Sequence, residues 1–410
     1  MFRTQCLSCQ STALHEIVNL GMHPMADTFI PAHRLDEGDR MHLLICDLCE
    51  NCGHVQLRTV TTPAERYAEY DYSYTSSNSK TSQTHWINYA ACVAEMIALK
   101  SSDAVLEIGS NDGFLTEQFQ KLGCKSLGVD PSPAMAQLAS ERGVKTIAGL
   151  FGQAGAGEVE KTLGAKPKLI AANNVFNHAN EPLDFALGVR AILAPDGTFV
   201  FELPYWAQSV AQRKFDQIYH EHVSYFTVKH AVHLFKSIGL CVNHVEEVDY
   251  HGGSIRVFVG HKPMKFALKS GGASVEEFIE KENQAGLFER ATYERFTKEI
   301  QSARNKFLQE IYRLKSEGKA IVCVGAAAKG NTFLNYYNLD ASVIDYVTDS
   351  SAGKIGKFTP RTRIPIASDE KLRDYESVYA IILSWNISGP LQKMLNKINP
   401  NIVFLNPYKP

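Results

Sequence analysis

Apolar and polar positions alternate along the chain in two periods, and the switching between them lays out the fold. Ala104-Val105-Leu106-Glu107-Ile108 is a short apolar run, read as a buried strand. It enters the glycine turn Gly109-Ser110-Asn111-Asp112-Gly113, followed by an amphipathic helical stretch from Phe114 to Leu122. Ser126–Asp130 is a second strand ending in a carboxylate. Further on, 168–172 reads as a strand, 183–193 as a helix and 197–203 as a strand closed by Pro204. Two β-rich runs, 241–248 and 254–260, flank His251-Gly252-Gly253. From 275 to 318 the chain is charged, free of proline and helix-favouring, with Phe278, Leu287, Phe296, Ile300, Phe307, Ile311 and Leu314 at roughly helical spacing. That pattern predicts one or two helices packed on neighbouring domains, or a dimerising coiled coil. A new strand, 320–324, opens a second glycine loop and a helix from Thr332; 344–347 is the next strand, closed by Thr348-Asp349.

Strands alternating with helices make this an α/β chain built on doubly wound sheets. A length of 410 residues suggests two or three domains. A formal net charge of −2 leaves no electrostatic footprint for nucleic acid or an anionic membrane. No apolar run is long enough to span a bilayer, and the first residues lack the apolar core of a signal peptide, so a cytoplasmic protein is expected. Nine cysteines make a poor disulfide framework, but five fall within the first 52 residues. Cys6 with Cys9 and Cys49 with Cys52 form two CxxC knuckles, and Gly53 suits the tight turn after the second. Four such thiolates close a tetrahedral, structural Zn²⁺ site with no open position for chemistry. Cys46 also forms CxxC with Cys49, so the ligand register stays open.

The first glycine turn is not G-x-G-x-x-G. Gly109 and Gly113 flank Ser110, Asn111 and Asp112, which offer side-chain hydrogen bonds instead of a bare phosphate cradle. That chemistry suits a cofactor without a pyrophosphate, and S-adenosylmethionine fits. Asp130 at the tip of the second strand, with Pro131 after it, is placed to accept ribose hydroxyls. Asn173, Asn174 and His178 follow the next strand and fall at the same sheet edge. The paired β-runs at 241–260 suggest the antiparallel final hairpin of S-adenosylmethionine methyltransferases.

Tyr219-His220-Glu221-His222 places four proton-handling side chains in a row. Together with CxxCGHVQL, Tyr74-Thr75-Ser76-Ser77, EIGSNDG, NNVFNH, VGAAAKGN and the closing FLNPY, this run resembles the nucleotide-sugar C-methyltransferases of deoxysugar biosynthesis. The resemblance covers essentially the whole length and implies three parts. These are a zinc-binding domain over 1–70, a class I methyltransferase domain over 71–270, and a helical bridge with a Rossmann-like domain over 271–410 that helps hold the sugar nucleotide. It also implies methylation of C-3 of a dTDP-linked 4-keto sugar through an enolate. His222 is then the base, Glu221 and Tyr219 position or relay protons, and His178 and Tyr74 contact the sugar or the enolate. Lys329, Gly330 and Asn331 in the second glycine loop, with Lys354 and Arg361, are the implied substrate contacts, and a solvated loop is an equal reading for the last two. Trp385 either borders the nucleotide or packs.

A regular strand would send Tyr219 and Glu221 one way and His220 and His222 the other. Joint action of Tyr219, Glu221 and His222 therefore requires a loop or a bulged strand end, with His220 pointing elsewhere. Rival readings are an O- or N-methyltransferase, a nicotinamide-dependent sugar oxidoreductase, and a zinc-ribbon module that binds nucleic acid or protein. The expected state is a monomer or weak dimer.

Overall fold

A computed structural model describes residues 2–67, 75–77, 79–266 and 272–408. At its centre is a seven-stranded sheet in the order 241–248, 254–260, 198–204, 169–171, 104–108, 125–130, 146–148. The strands from 104 to 204 pair in parallel, because helices at Phe114–Lys121, Pro133–Glu141, Gln153–Leu163 and Pro182–Ile192 supply the crossovers. The final hairpin inserts antiparallel, with Ser254 opposite Pro204 and Val257 opposite Phe201. Strand 104–108 is buried along its whole length, as a central strand covered on both faces must be. Strand order reverses between 104–108 and 169–171, which opens a crevice outside their carboxyl ends.

The N-terminal part is a four-stranded sheet of Leu14–Pro24, Met41–Cys49, Val55–Leu57 and, contributed from far along the chain, Ser224–Tyr225. Gln56 pairs with Ser224 and Val55 with Tyr225, so the Tyr219–His222 segment runs directly into the sheet of the first domain. The C-terminal part is a five-stranded parallel sheet ordered 366–367, 347–348, 321–324, 378–382, 402–405. Its first helix begins at Ala328, earlier than Thr332, because the loop straightens at Ala327 and the turn starts at once. The strand expected at 344–347 is only Val347–Thr348, with Ile344 buried in the preceding turn.

Two helices fill 275–318: Val275–Gln284, held by a Ser274–Glu277 capping box, and the long Arg290–Ser316. The second buries Tyr293, Phe296, Ile300, Phe307, Ile311 and Leu314 in one cluster with Val18 and Leu44 of the N-terminal sheet, Ile321 of the C-terminal sheet and Phe333 of the helix that follows it. The predicted apolar stripe is thus covered within the chain. Lys357–Phe358 adds a short antiparallel pairing with Ile30–Pro31. The N-terminal and C-terminal parts therefore meet directly. Among the described residues, no helix is long and apolar enough to cross a membrane.

Candidate active site

The sulfurs of Cys6, Cys9, Cys49 and Cys52 all lie within 4.8 Å of one another. Cys6 faces Cys52 at 3.5 Å and Cys9 faces Cys49 at 3.6 Å. Gly53 takes φ +73°, the left-handed geometry that closes the second knuckle. Cys46 is buried in the apolar cluster with Leu44 and Leu48 and is not part of this set, which settles the register. The Asn51 amide donates to the Cys9 sulfur at 3.4 Å, an outer contact of the kind that orients a thiolate ligand. Four converging sulfurs fit a closed structural Zn²⁺ site.

A cleft of about 690 Å³ opens at the crevice of the central sheet. Its walls include Gly109, Asn111, Asp130, Pro131, Asn173, Asn174 and His178, all singled out by the sequence. Gly109 sits at φ +71°, and a Cβ there would come within 2.7 Å of Val175, so only glycine lets the loop lie this close. The Asp130 carboxylate accepts the Asn111 N–H at 2.8 Å and the Ser132 N–H at 2.9 Å. That fixes its orientation and leaves further lone pairs toward the cleft. Burial raises its pKa. Ser110, Asp112 and Gly113 are not on the wall. Ser110 packs against Gly128, and Gly113 caps the helix at φ +75°. Asp112 turns away to accept the Ser76 and Ser77 hydroxyls and Arg142 at 3.1 Å, while Asn111 Oδ1 accepts the Ser76 N–H at 2.8 Å. The three bonds from Ser76 and Ser77 dock the Thr75-Ser76-Ser77 segment over the glycine turn. Tyr74 lies outside the described residues.

The Tyr219–His222 run is a tight turn, closed by the His222 N–H donating to the Tyr219 carbonyl at 2.9 Å. The turn breaks strand alternation, as joint action requires. The Tyr219 and His222 rings pack tilted with centroids 4.0 Å apart, and the His178 ring lies 5.2 Å from His222. His222 Nδ1 lies 2.8 Å from the Gln217 carbonyl oxygen. Since a carbonyl only accepts, Nδ1 carries the hydrogen and Nε2 keeps its lone pair. Burial first, and then Lys329, lower the His222 pKa to about 4 against the Gln217 carbonyl. His178 is likewise pushed well down, by burial, His222 and Arg66. Glu221 moves the other way: burial, then Asp27, raise it to about 8, with Arg66 opposing, and its carboxyl accepts the Asp27 N–H. His220 points elsewhere, fully buried against His42 with centroids 5.4 Å apart.

From the C-terminal domain, Lys329 reaches this region. Its ammonium sits 4.4 Å over the Trp385 ring and bonds Asn386 Oδ1, and burial lowers its pKa to about 8. Trp385 Nε1 in turn donates to Asp216 at 2.7 Å. Of the other implied substrate contacts, Asn331, Lys354 and Arg361 reach the N-terminal domain, while Gly330 packs within its own. Gly330 is pressed against Leu383, where a Cβ would lie at 2.8 Å. Asn331 donates to the Ala26 carbonyl at 2.6 Å, and Lys354 to the Ala326 carbonyl at 2.7 Å while covering Phe29. Arg361 donates from its backbone to Asp39 at 2.8 Å and from its guanidinium to Asn338 at 3.0 Å.

Three family models match in series: "Putative zinc binding domain" over residues 6–67, "Methyltransferase domain" over 84–245 and "C-methyltransferase C-terminal domain" over 249–402. The C-methyltransferase NovU of Streptomyces niveus is 31% identical over 382 residues, 93% of this chain and 90% of that protein. The chain belongs to this C-methyltransferase family. Among solved structures, Burkholderia thailandensis 1,6-didemethyltoxoflavin-N1-methyltransferase is 16% identical over 51% of this chain and 96% of its own, at a TM-score of 0.37. Magnesium protoporphyrin IX methyltransferase of Synechocystis PCC 6803 is 13% identical over 44% and 83%, at 0.35.

The C-methyltransferase uses S-adenosylmethionine and carries a structural zinc centre. The sulfur set above fits the metal, and the cleft beneath Gly109 fits the cofactor, with Asp130 as the acidic group at the strand tip. Two cleft-region residues escaped the sequence reading. Glu107 lines the cleft and is raised to about 8 by burial although the Thr116 hydroxyl donates to it. A single acid inside an otherwise apolar strand was its signal. Arg66, buried between His178 and Glu221 and donating to Asn180 at 2.9 Å, carried no local signal, since only tertiary packing brings it there.

Proposed function

We propose that this C-methyltransferase methylates C-3 of a dTDP-linked 4-keto deoxysugar by way of an enolate. A carbon–carbon bond to a sulfonium methyl needs a carbanion, and a carbon beside a ketone supplies one once a base removes its proton. The observation that carries the reading is the tautomer of His222. The Gln217 carbonyl holds the Nδ1 hydrogen, so Nε2 is an unprotonated base at neutral pH.

The oxyanion that forms on the ketone needs donors. Glu221, held neutral to about pH 8 by burial and by Asp27, is an O–H donor at working pH in the manner of other apolar-site carboxylic acids. Tyr219 and His178, packed on either side of His222, orient the base and supply further donors. Gly109, Asn111, Asp130, Pro131, Asn173 and Asn174 seat the cofactor, which supplies the methyl group when bound. Ser110, Asp112 and Gly113 serve it by shaping the loop. Lys329 and its neighbours contribute positive charge toward the nucleotide part of the acceptor. No cysteine is in a disulfide, as suits a reducing cytoplasm, and we take the chain to work as a monomer or weak dimer.

The test is turnover of dTDP-4-keto-6-deoxyglucose with S-adenosylmethionine, read by NMR for a new methyl on a ring carbon. A methyl on oxygen or nitrogen, or no reaction across dTDP-4-keto sugars, contradicts the proposal.

A further inference from the structure

A third imidazole is tied to His222 through Gln217, and nothing above uses it. His251 opens the turn His251-Gly252-Gly253, in which all three residues have positive φ, at 50°, 85° and 112°. For histidine that conformation is uncommon and costs free energy, and such strain concentrates at functional positions. The turn is held firmly. Gln217 Nε2 donates to the His251 carbonyl at 3.0 Å, and the Tyr205 N–H donates to the Gly253 carbonyl at 3.1 Å. Lys214 bonds the Gly252 carbonyl, and a Cβ at Gly252 would strike Trp385. Gln217 thus braces His251 with its side chain and His222 with its carbonyl.

The ring itself is half-buried and packs on Tyr250 with centroids 4.1 Å apart. Tyr250 stacks flat on His85 at 3.7 Å, and His85 adjoins Trp86 on the wall of the cofactor cleft. The next residue, Gly252, lies against Trp385, whose ring carries the Lys329 ammonium at 4.4 Å, and Gln217 ties the turn to His222. Among the described residues no side chain hydrogen-bonds the His251 ring. Burial, then Lys329, His85 and His222, lower its pKa to about 3, so the ring is neutral and keeps one N–H to donate.

We infer that His251 is a substrate-contacting residue that, together with Lys329, donates a hydrogen bond to an anionic oxygen of the acceptor. The inference rests on the proposed function and deepens it. That oxygen belongs either to the enolate or to the diphosphate, which share the same chemistry of negative charge beside an ammonium and a neutral N–H.

The variants are His251→Asn and His251→Gly, both of which suit a left-handed position, so the turn survives and the imidazole goes. Three readouts are taken: binding of dTDP alone, exchange of the acceptor's α-proton with deuterated water in dTDP-4-keto-6-deoxyglucose, and binding of S-adenosylmethionine. Weakened dTDP binding with cofactor binding intact assigns the diphosphate. Unchanged dTDP binding with exchange slowed by about 10²-fold or more assigns the enolate. Restoration of the His251→Gly variant by added imidazole supports either assignment. Wild-type dTDP binding and exchange in both variants, with thermal stability equal or raised, overturns the inference and leaves the proposed function standing. Failure of the wild-type protein itself to exchange the α-proton counts against the proposed function instead.

Discussion

His222 donates its Nδ1 hydrogen to the carbonyl oxygen of Gln217 at 2.8 Å, and this one bond decides which ring nitrogen can act as a base. The rings of Tyr219 and His178 pack against this imidazole, with centroids 4.0 and 5.2 Å away. Asparagine at 222 keeps a donor for Gln217 and removes the basic lone pair. His222→Asn is expected to lower turnover by about 10²- to 10⁴-fold, the range for a lost general base, with S-adenosylmethionine affinity nearly unchanged. Calorimetric titration of the variant with cofactor checks this, and loss of cofactor binding would move His222 out of the base role.

The pH profile follows from two opposite shifts. His222, lowered to about 4, is a competent base above that pH, while Glu221, raised to about 8, is a competent donor below it. The expected kcat/KM rises through about 4, holds across neutrality and falls through about 8. Glu221→Gln should lower the plateau and remove the alkaline limb. Persistence of that limb would assign it to Lys329, also lowered to about 8.

Asp130 accepts two backbone N–H groups of the cleft and is the proposed ribose acceptor. Asp130→Ala should weaken S-adenosylmethionine by about 10- to 100-fold, the cost of ~1.5–3 kcal/mol for hydrogen bonds to a charged group. Equal affinity in equilibrium binding would overturn the ribose assignment.

Zinc removal should act at a distance. The strand Val55–Leu57 follows the second cysteine knuckle and pairs with Ser224–Tyr225, two residues beyond His222. Cys49→Ser, or chelation, is expected to lower the melting temperature and the turnover together while cofactor affinity changes less. An unaltered melting curve in metal-depleted protein would contradict a structural zinc centre.

The central sheet was legible because its strands and turns are local signals: Ala104–Ile108, Cys241–Val248 and Ser254–Gly260 occur where periodicity places them. The cysteine set was legible from spacing, and only the identity of the fourth ligand needed coordinates. What sequence could not show are meetings between distant segments. The pairing of Gln56 with Ser224, the bond from Asn331 to Ala26, and Arg66 beside Glu221 all depend on chain closure over hundreds of residues. Asp112 shows a second limit. Its position in the glycine turn suggested a cofactor contact, and nothing local announced its bonds to Ser76, Ser77 and Arg142.

Exchange of the acceptor's α-proton with deuterated water, followed by NMR with no S-adenosylmethionine present, isolates proton removal from methyl transfer. The account predicts exchange by the wild-type protein on a dTDP-linked 4-keto deoxysugar and its loss in His222→Asn. Wild-type turnover without any exchange, or undiminished exchange in His222→Asn, would contradict it.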